Sequence, residues 1–287
     1  ENKILFKIDN EIITTIDIHE EIKFLKTFYS EMNDLSEVEL FEISKNSIIK
    51  DKVKKIELMK FVEELKVDDK FLLKIIERKY SKVNINSVKD FEEYLKEKNL
   101  NIKIIKEKLT IELMWNDLIY QKFSKKIVID KDKIGEEISQ NSKKNLQKEF
   151  LLSEIVFDVT NKDELNDKYK KITLDIEKIG FKKAALIHSN SDTASNGGLI
   201  GWIKKDNLSL NFKKVISNLK PGQFSEPIRT SSGFIIIKID DEKEYETKFN
   251  LADKINEVIR FKTNDQLNQF SSMYFNKLKK DLIIYGL

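Results

Sequence analysis

Six of this chain's eight glycines, and both of its prolines, lie between Gly180 and Gly233. Long helices avoid both residue types, whereas tight turns and close backbone approaches depend on them. The chain is therefore read as a turn-rich module set between two helical stretches. At 287 residues it has room for one large or two medium domains.

The first stretch opens with Ile4–Ile8, a turn at Asp9-Asn10 and Glu11–Thr15, the pattern of a short hairpin. Asp17 with Glu20 reads as a capping box for a helix to about Met32, and Ser36 with Glu39 as another, for a helix to about Leu65. Further helices are expected at about 68–81, 87–98 and 101–123; in the last, Ile102, Ile105, Leu109 and Leu113 recur at helical spacing, and this stripe with Trp115 reads as core. "FLLSEIVF" (150–157) reads as a strand, followed by helices at about 162–178 and 181–188. Residues 189–201 form a polar, glycine-rich loop, 209–218 a short helix, and 220–239 two strands around a hairpin turn. Asp240–Glu246 and Lys143–Lys148 read as links flanking the module. In the closing helix Leu267, Phe270, Tyr274 and Leu278 share a face, and Leu282–Tyr285 is strand-like. No internal repeat is visible, so the module occurs once.

Composition removes several classes of function. Lys+Arg 52 against Asp+Glu 49 are interleaved without a basic stripe, which argues against nucleic acid as a partner. The absence of cysteine rules out disulfides, thiolate zinc sites and a cysteine nucleophile. No apolar run approaches the roughly 18 residues of a membrane span, and no GxxxxGK[ST] loop points to nucleotide use. The chain begins at Glu1, which a removed signal peptide or a trimmed chain would explain. Neighbours in sequence rarely form a relay, so Ser189, His188 and Asp192 make a poor hydrolase triad. His188 reads as a solvated helix-end residue, and His19 is given no role.

Two blocks, "SNGGLIGW" (195–202) and "LKPGQFSEPIRTSSGF" (219–234), stand in the order and at the spacing of a parvulin-type peptidyl-prolyl isomerase, which residues 150–240 resemble. The opening "ILFKIDNEIITTIDIHEEI" (4–22) and the closing "YFNKLKKDLIIYGL" (274–287) resemble the two ends of SurA-type periplasmic chaperones. The resemblance implies an α+β fold: a mainly helical chaperone body with an inserted parvulin-like four-stranded antiparallel sheet. It assigns 1–146, completed by 246–287, to the body and 149–241 to the parvulin domain.

The same resemblance supplies candidate residues. Ile200, Leu208 and Phe212 fall where the family places its apolar proline-binding wall. Active members usually carry a histidine on the first strand and another on the last; Glu154 and Ile235 stand at those positions. Ser191, with Asp192 beside it, matches a Cys or Asp of the family, and Ser232 keeps its place in the hairpin turn. Rotation about an X–Pro bond faces a barrier of about 20 kcal/mol, and the family lowers it with a pocket and a polar cluster, without cofactor or metal. Isoleucine can neither donate nor accept a hydrogen bond, so weak or absent isomerase activity is expected. The resemblance then implies an ATP-independent periplasmic chaperone whose partners are unfolded polypeptides, outer-membrane β-barrel precursors in particular. The alternative is an active isomerase and foldase of another cell-envelope class, PrsA- or PpiD-like. Neither reading sets the oligomeric state.

Overall fold

The computed structural model describes residues 3–80, 87–141, 146–159, 161–231, 233–246, 250–282 and 284–286. The chain divides into two compact units, Glu1–Lys122 with Tyr274–Leu287, and Phe123–Met273. No helix among the described residues is long and apolar enough to cross a membrane.

In the first unit, β1 (Ile4–Ile8) and β2 (Glu11–Thr14) form the expected hairpin, with Asp9 at φ 50° in its turn. Helix α1 (Thr15–Phe28) begins one turn earlier than the Asp17–Glu20 reading: Thr14 is its cap and Asp17 the third helical residue, each bonding the other's backbone N–H. A threonine hydroxyl closing the hairpin reaches the free amides directly, so the cap falls at the strand end. Ser36 and Glu39 cap α2 (Glu37–Leu58) as expected, but α2 stops at Leu58 rather than near Leu65. Helices α3 (Asp69–Tyr80), α4 (Val88–Glu97) and α5 (Ile102–Phe123) follow. Trp115 of α5 is fully buried and its ring stacks on Tyr274 at 5.8 Å. Lys108 of α5 bonds Glu21 of α1 at 2.8 Å and Asp51 of α2 at 2.5 Å, joining three helices through one ammonium. The last strand, β7 (Ile284–Gly286), returns to β1 in register Ile8↔Ile284, so both chain ends close the same sheet.

The second unit is built on β3 (Leu146–Phe157) and β6 (Gly233–Glu246), antiparallel along their whole length. With β4 (Leu199–Lys204) and β5 (Ile228–Thr230) the sheet runs β4-β3-β6-β5. Alternation along β3 sends Phe150, Leu152 and Val156 to one face, covered by α9 (Leu210–Ser217), and Ile155 and Phe157 to the other, covered by α7 (Lys162–Ile179) and α8 (Phe181–His188). The linker readings are corrected here. Asp240–Glu246 continues β6 and pairs with Leu146–Leu151, which takes in the end of the Lys143–Lys148 segment; residues 143–145 lie outside the described residues. Cross-strand contacts hold this ribbon despite its charge: Tyr245 donates to Glu149 at 2.5 Å and Lys243 pairs with the same carboxylate at 3.1 Å. A helix that the sequence reading passed over, α6 (Lys131–Asn141), packs Ile134 and Ile138 against Val258 of α10 (Leu251–Asp281).

Candidate functional site

Glu154 sits on β3 between Leu152 and Val156, opposite Ile237, on the sheet face that α9 covers. Its backbone N–H donates to Gly198 O at 2.8 Å. Gly198 has φ +79°, and a Cβ there would lie 2.2 Å from Glu154 O, so only glycine lets the loop approach the strand. The loop delivers two hydroxyls to the carboxylate: Ser191 Oγ donates to Glu154 Oε1 at 2.6 Å and Thr193 Oγ1 at 2.9 Å. Ser189 Oγ, accepting from the Val156 and Ser191 amides at 3.0 and 3.3 Å, pins the loop to β3.

Burial pushes the Glu154 carboxyl above the usual carboxylate range, against the two hydroxyl bonds, and the charges of Asp265 and Asp192 push the same way. A raised folded value means that ionisation is disfavoured on folding. The stability tied to the neutral acid is complete below the ordinary value of 4.5 and is lost as pH rises through the shifted one. Glu154→Gln, which keeps an acceptor for both hydroxyls, is expected to raise the thermal midpoint at about pH 8, with the gain vanishing on acidification. Calorimetry in which the Gln variant melts below the parent at that pH would refute this.

The remaining candidates separate. Leu208 is buried in the cluster with Ile235, and Phe212 packs against it half-buried. Ile235 pairs with Val156 and Ile228 at 7% exposure, as a core residue. Ile200 is 37% exposed at the bulge where β4 leaves register with β3, and belongs to neither core cluster of the sheet. Asp192 is exposed, and Ser232 lies outside the described residues. His188 is not the solvated residue expected: its side chain is 8% exposed and bonded to Asp175 at 2.6 Å, and burial pushes its imidazole below the usual range.

Beside this face lies a cavity of about 440 Å³ lined by Asn207, Ser209, Ser231 and, from α10, Asp265, Phe270 and Met273. Ser231 Oγ donates to Gln269 at 2.6 Å, and Gln269 in turn to Asp265 at 2.9 Å. Sequence reading missed Thr193 and Asp265. Thr193, two residues after Ser191 in a polar loop, was within reach of it; Asp265, on a helix assigned to the body, carried no signal.

Residues 150–241 match the family model described as Rotamase, the PPIC-type PPIase domain. That segment is a PPIC-type parvulin domain. The chain is also similar to two kinds of curated protein. It is 24% identical over 187 residues to the Chaperone SurA of Hahella chejuensis, covering 62% of this chain and 43% of that protein. It is 28% identical over 257 residues to the Foldase protein PrsA of Clostridium botulinum, covering 84% of this chain and 76% of that one. A solved structure from Campylobacter jejuni, reported with SurA-like chaperones, aligns over 100% of this chain and 99% of its own at 18% identity and a TM-score of 0.40.

Proposed function

We propose that this protein is an ATP-independent periplasmic chaperone for unfolded polypeptides, outer-membrane β-barrel precursors among them, whose parvulin domain has little or no isomerase activity. The observation that carries the second half is the state of the polar cluster. Where the family's catalytic side chains stand, Ile235 is core and both hydroxyls that face Glu154 already donate to it. Ionised Glu154 is an acceptor only, and it cannot stabilise a twisting imide carbonyl. Ile200, Leu208 and Phe212 remain the proposed apolar wall for a proline-containing segment, 149–241 the proposed parvulin domain, and 1–146 with 246–287 the proposed chaperone body.

Client binding is supported by relatives named as chaperone and foldase. Barrel precursors expose alternating apolar strands with unpaired edges until closure, and weak multivalent contacts hold such chains without an energy source. The test uses the full chain in two assays. It is expected to suppress aggregation of a urea-diluted outer-membrane barrel protein, and to accelerate isomerisation of a proline tetrapeptide by less than about tenfold over the uncatalysed rate.

A second reading, an active foldase, is favoured by the raised Glu154 value, since a neutral carboxyl can donate a hydrogen bond. It requires efficient turnover that increases as pH falls and is lost in Phe212→Ala.

A further inference from the structure

The strand order leaves β4 on the outside of the parvulin sheet. Its inner side pairs with β3 from Glu149↔Lys204 to Ser153↔Leu199. Among the described residues, no backbone group of Leu199–Ile203 makes a hydrogen bond outside that ladder. An edge strand of this kind presents a row of unpaired N–H and C=O groups, which proteins normally guard with charge, proline or brevity. Neither charge nor proline stands over Leu-Ile-Gly-Trp-Ile, and the one guard there is the bulge at Ile200–Gly201: Ile200 is 37% and Trp202 40% exposed, and a Cβ built on Gly201 would meet nothing within 4 Å. The rest of the sheet is guarded. The free stretch of β6 carries Asp241, Glu242, Lys243 and Glu244, and β5 is three residues long with Arg229 exposed.

We propose that Leu199–Ile203 is a strand-addition site, on which an extended segment of an unfolded polypeptide pairs with the outer edge of the parvulin sheet. The occupant follows from the edge itself, because a row of open amides is satisfied in register only by another extended backbone. Exposed Ile200 and Trp202 then favour segments with apolar side chains at alternate positions. Lys243, over the Trp202 ring at 4.0 Å and paired with Glu149 at 3.1 Å, holds that ring in place. The bulge at Ile200–Gly201, where Gly201 has φ +106°, twists the edge away from flat continuation. A flexible chain follows that twist, whereas a folded second copy would bring an identical bulge to the same point. The choice of an unfolded polypeptide rests on the client-binding reading above, and it adds where on the parvulin domain a client is held and through which groups.

The test uses the full chain and a short fluorescein-labelled peptide of alternating valine and threonine with terminal lysines, beside the same peptide N-methylated at every second amide. Methylation removes donors along one edge and leaves the side chains. The unmethylated peptide is expected to bind and to shift the emission of exposed Trp202, Trp115 being fully buried. The methylated peptide and the Ile200→Lys variant are each expected to weaken binding about tenfold. Equal affinity for both peptides, or undiminished binding by Ile200→Lys, overturns the proposal. So does a parent dimer, seen by light scattering, that Ile200→Lys converts to monomer, since the edge would then belong to a second copy. A chain that suppresses aggregation but shows no Trp202 response refutes the edge and leaves the chaperone reading standing. A methylation-sensitive Trp202 response without aggregation suppression does the reverse.

Discussion

Lys108→Ala is expected to destabilise the first unit by about 3–5 kcal/mol, the cost of leaving buried charge without its partner. Lys108 extends from α5, and its ammonium lies 2.8 Å from Glu21 and 2.5 Å from Asp51. Glu21 is 3% exposed and has one further bond, from Ser47 Oγ at 2.6 Å, too little to solvate a carboxylate alone. The two carboxylates raise the lysine well above its ordinary value against the opposing effect of burial. A raised lysine contributes fully below its ordinary 10.5 and loses that contribution only as pH climbs through the shifted value, so the effect stays constant across the neutral range. Urea denaturation followed by Trp115 emission in a Trp202→Phe background reads the first unit alone. Lys108→Met should cost nearly as much as alanine, because it restores packing and not charge. Replacing Lys108, Glu21 and Asp51 together by apolar residues should recover most of the loss. A midpoint for Lys108→Ala close to the parent's would mean that the triad is solvated in solution.

Gly198→Ala should be comparably severe in the second unit, at about 2–5 kcal/mol, combining left-handed strain with forced repacking. The new methyl would lie 2.2 Å from the Glu154 carbonyl oxygen, which belongs to a central strand, and 3.0 Å from Ala185 Cβ on α8. Neither neighbour is the movable end of a flexible side chain. The loop must therefore lift, breaking the Glu154 N–H to Gly198 bond and withdrawing Ser191 and Thr193 from the carboxylate. Hydrogen exchange is expected to rise along β4 and over 189–198 while the first unit keeps its protection. Gly201→Ala is the comparison: also at positive φ but in open space, it should cost only the backbone strain. Equal losses in the two variants would show that the close approach at Gly198 adds nothing.

Much of the fold was legible because local chemistry carried it. Ser36 and Glu39 marked a helix start through bonds between residues three apart, and the glycine-rich block placed the turns of the parvulin sheet. The cap of α1 was misplaced by a local choice between Thr14 and Asp17, but in two other errors the deciding partner was distant. Asp240–Glu246 reads as an acidic linker, yet it is a strand because Leu146–Leu151 lies beside it. His188 reads as solvated, yet Asp175 and the packing of α8 enclose it.

By itself the sequence determined the helix-rich character and the place of the glycine- and proline-rich module within the segment that matches the PPIC-type family model, since each follows from residue identity or from spacing of a few positions. Tertiary structure alone decided that Glu154 is held by Ser191 and Thr193, that Asp265 stands near enough to bear on it, and that β4 is left as an open edge. Burial, field and strand order arise from segments separated by tens to hundreds of residues, and no local pattern encodes which of those segments will meet.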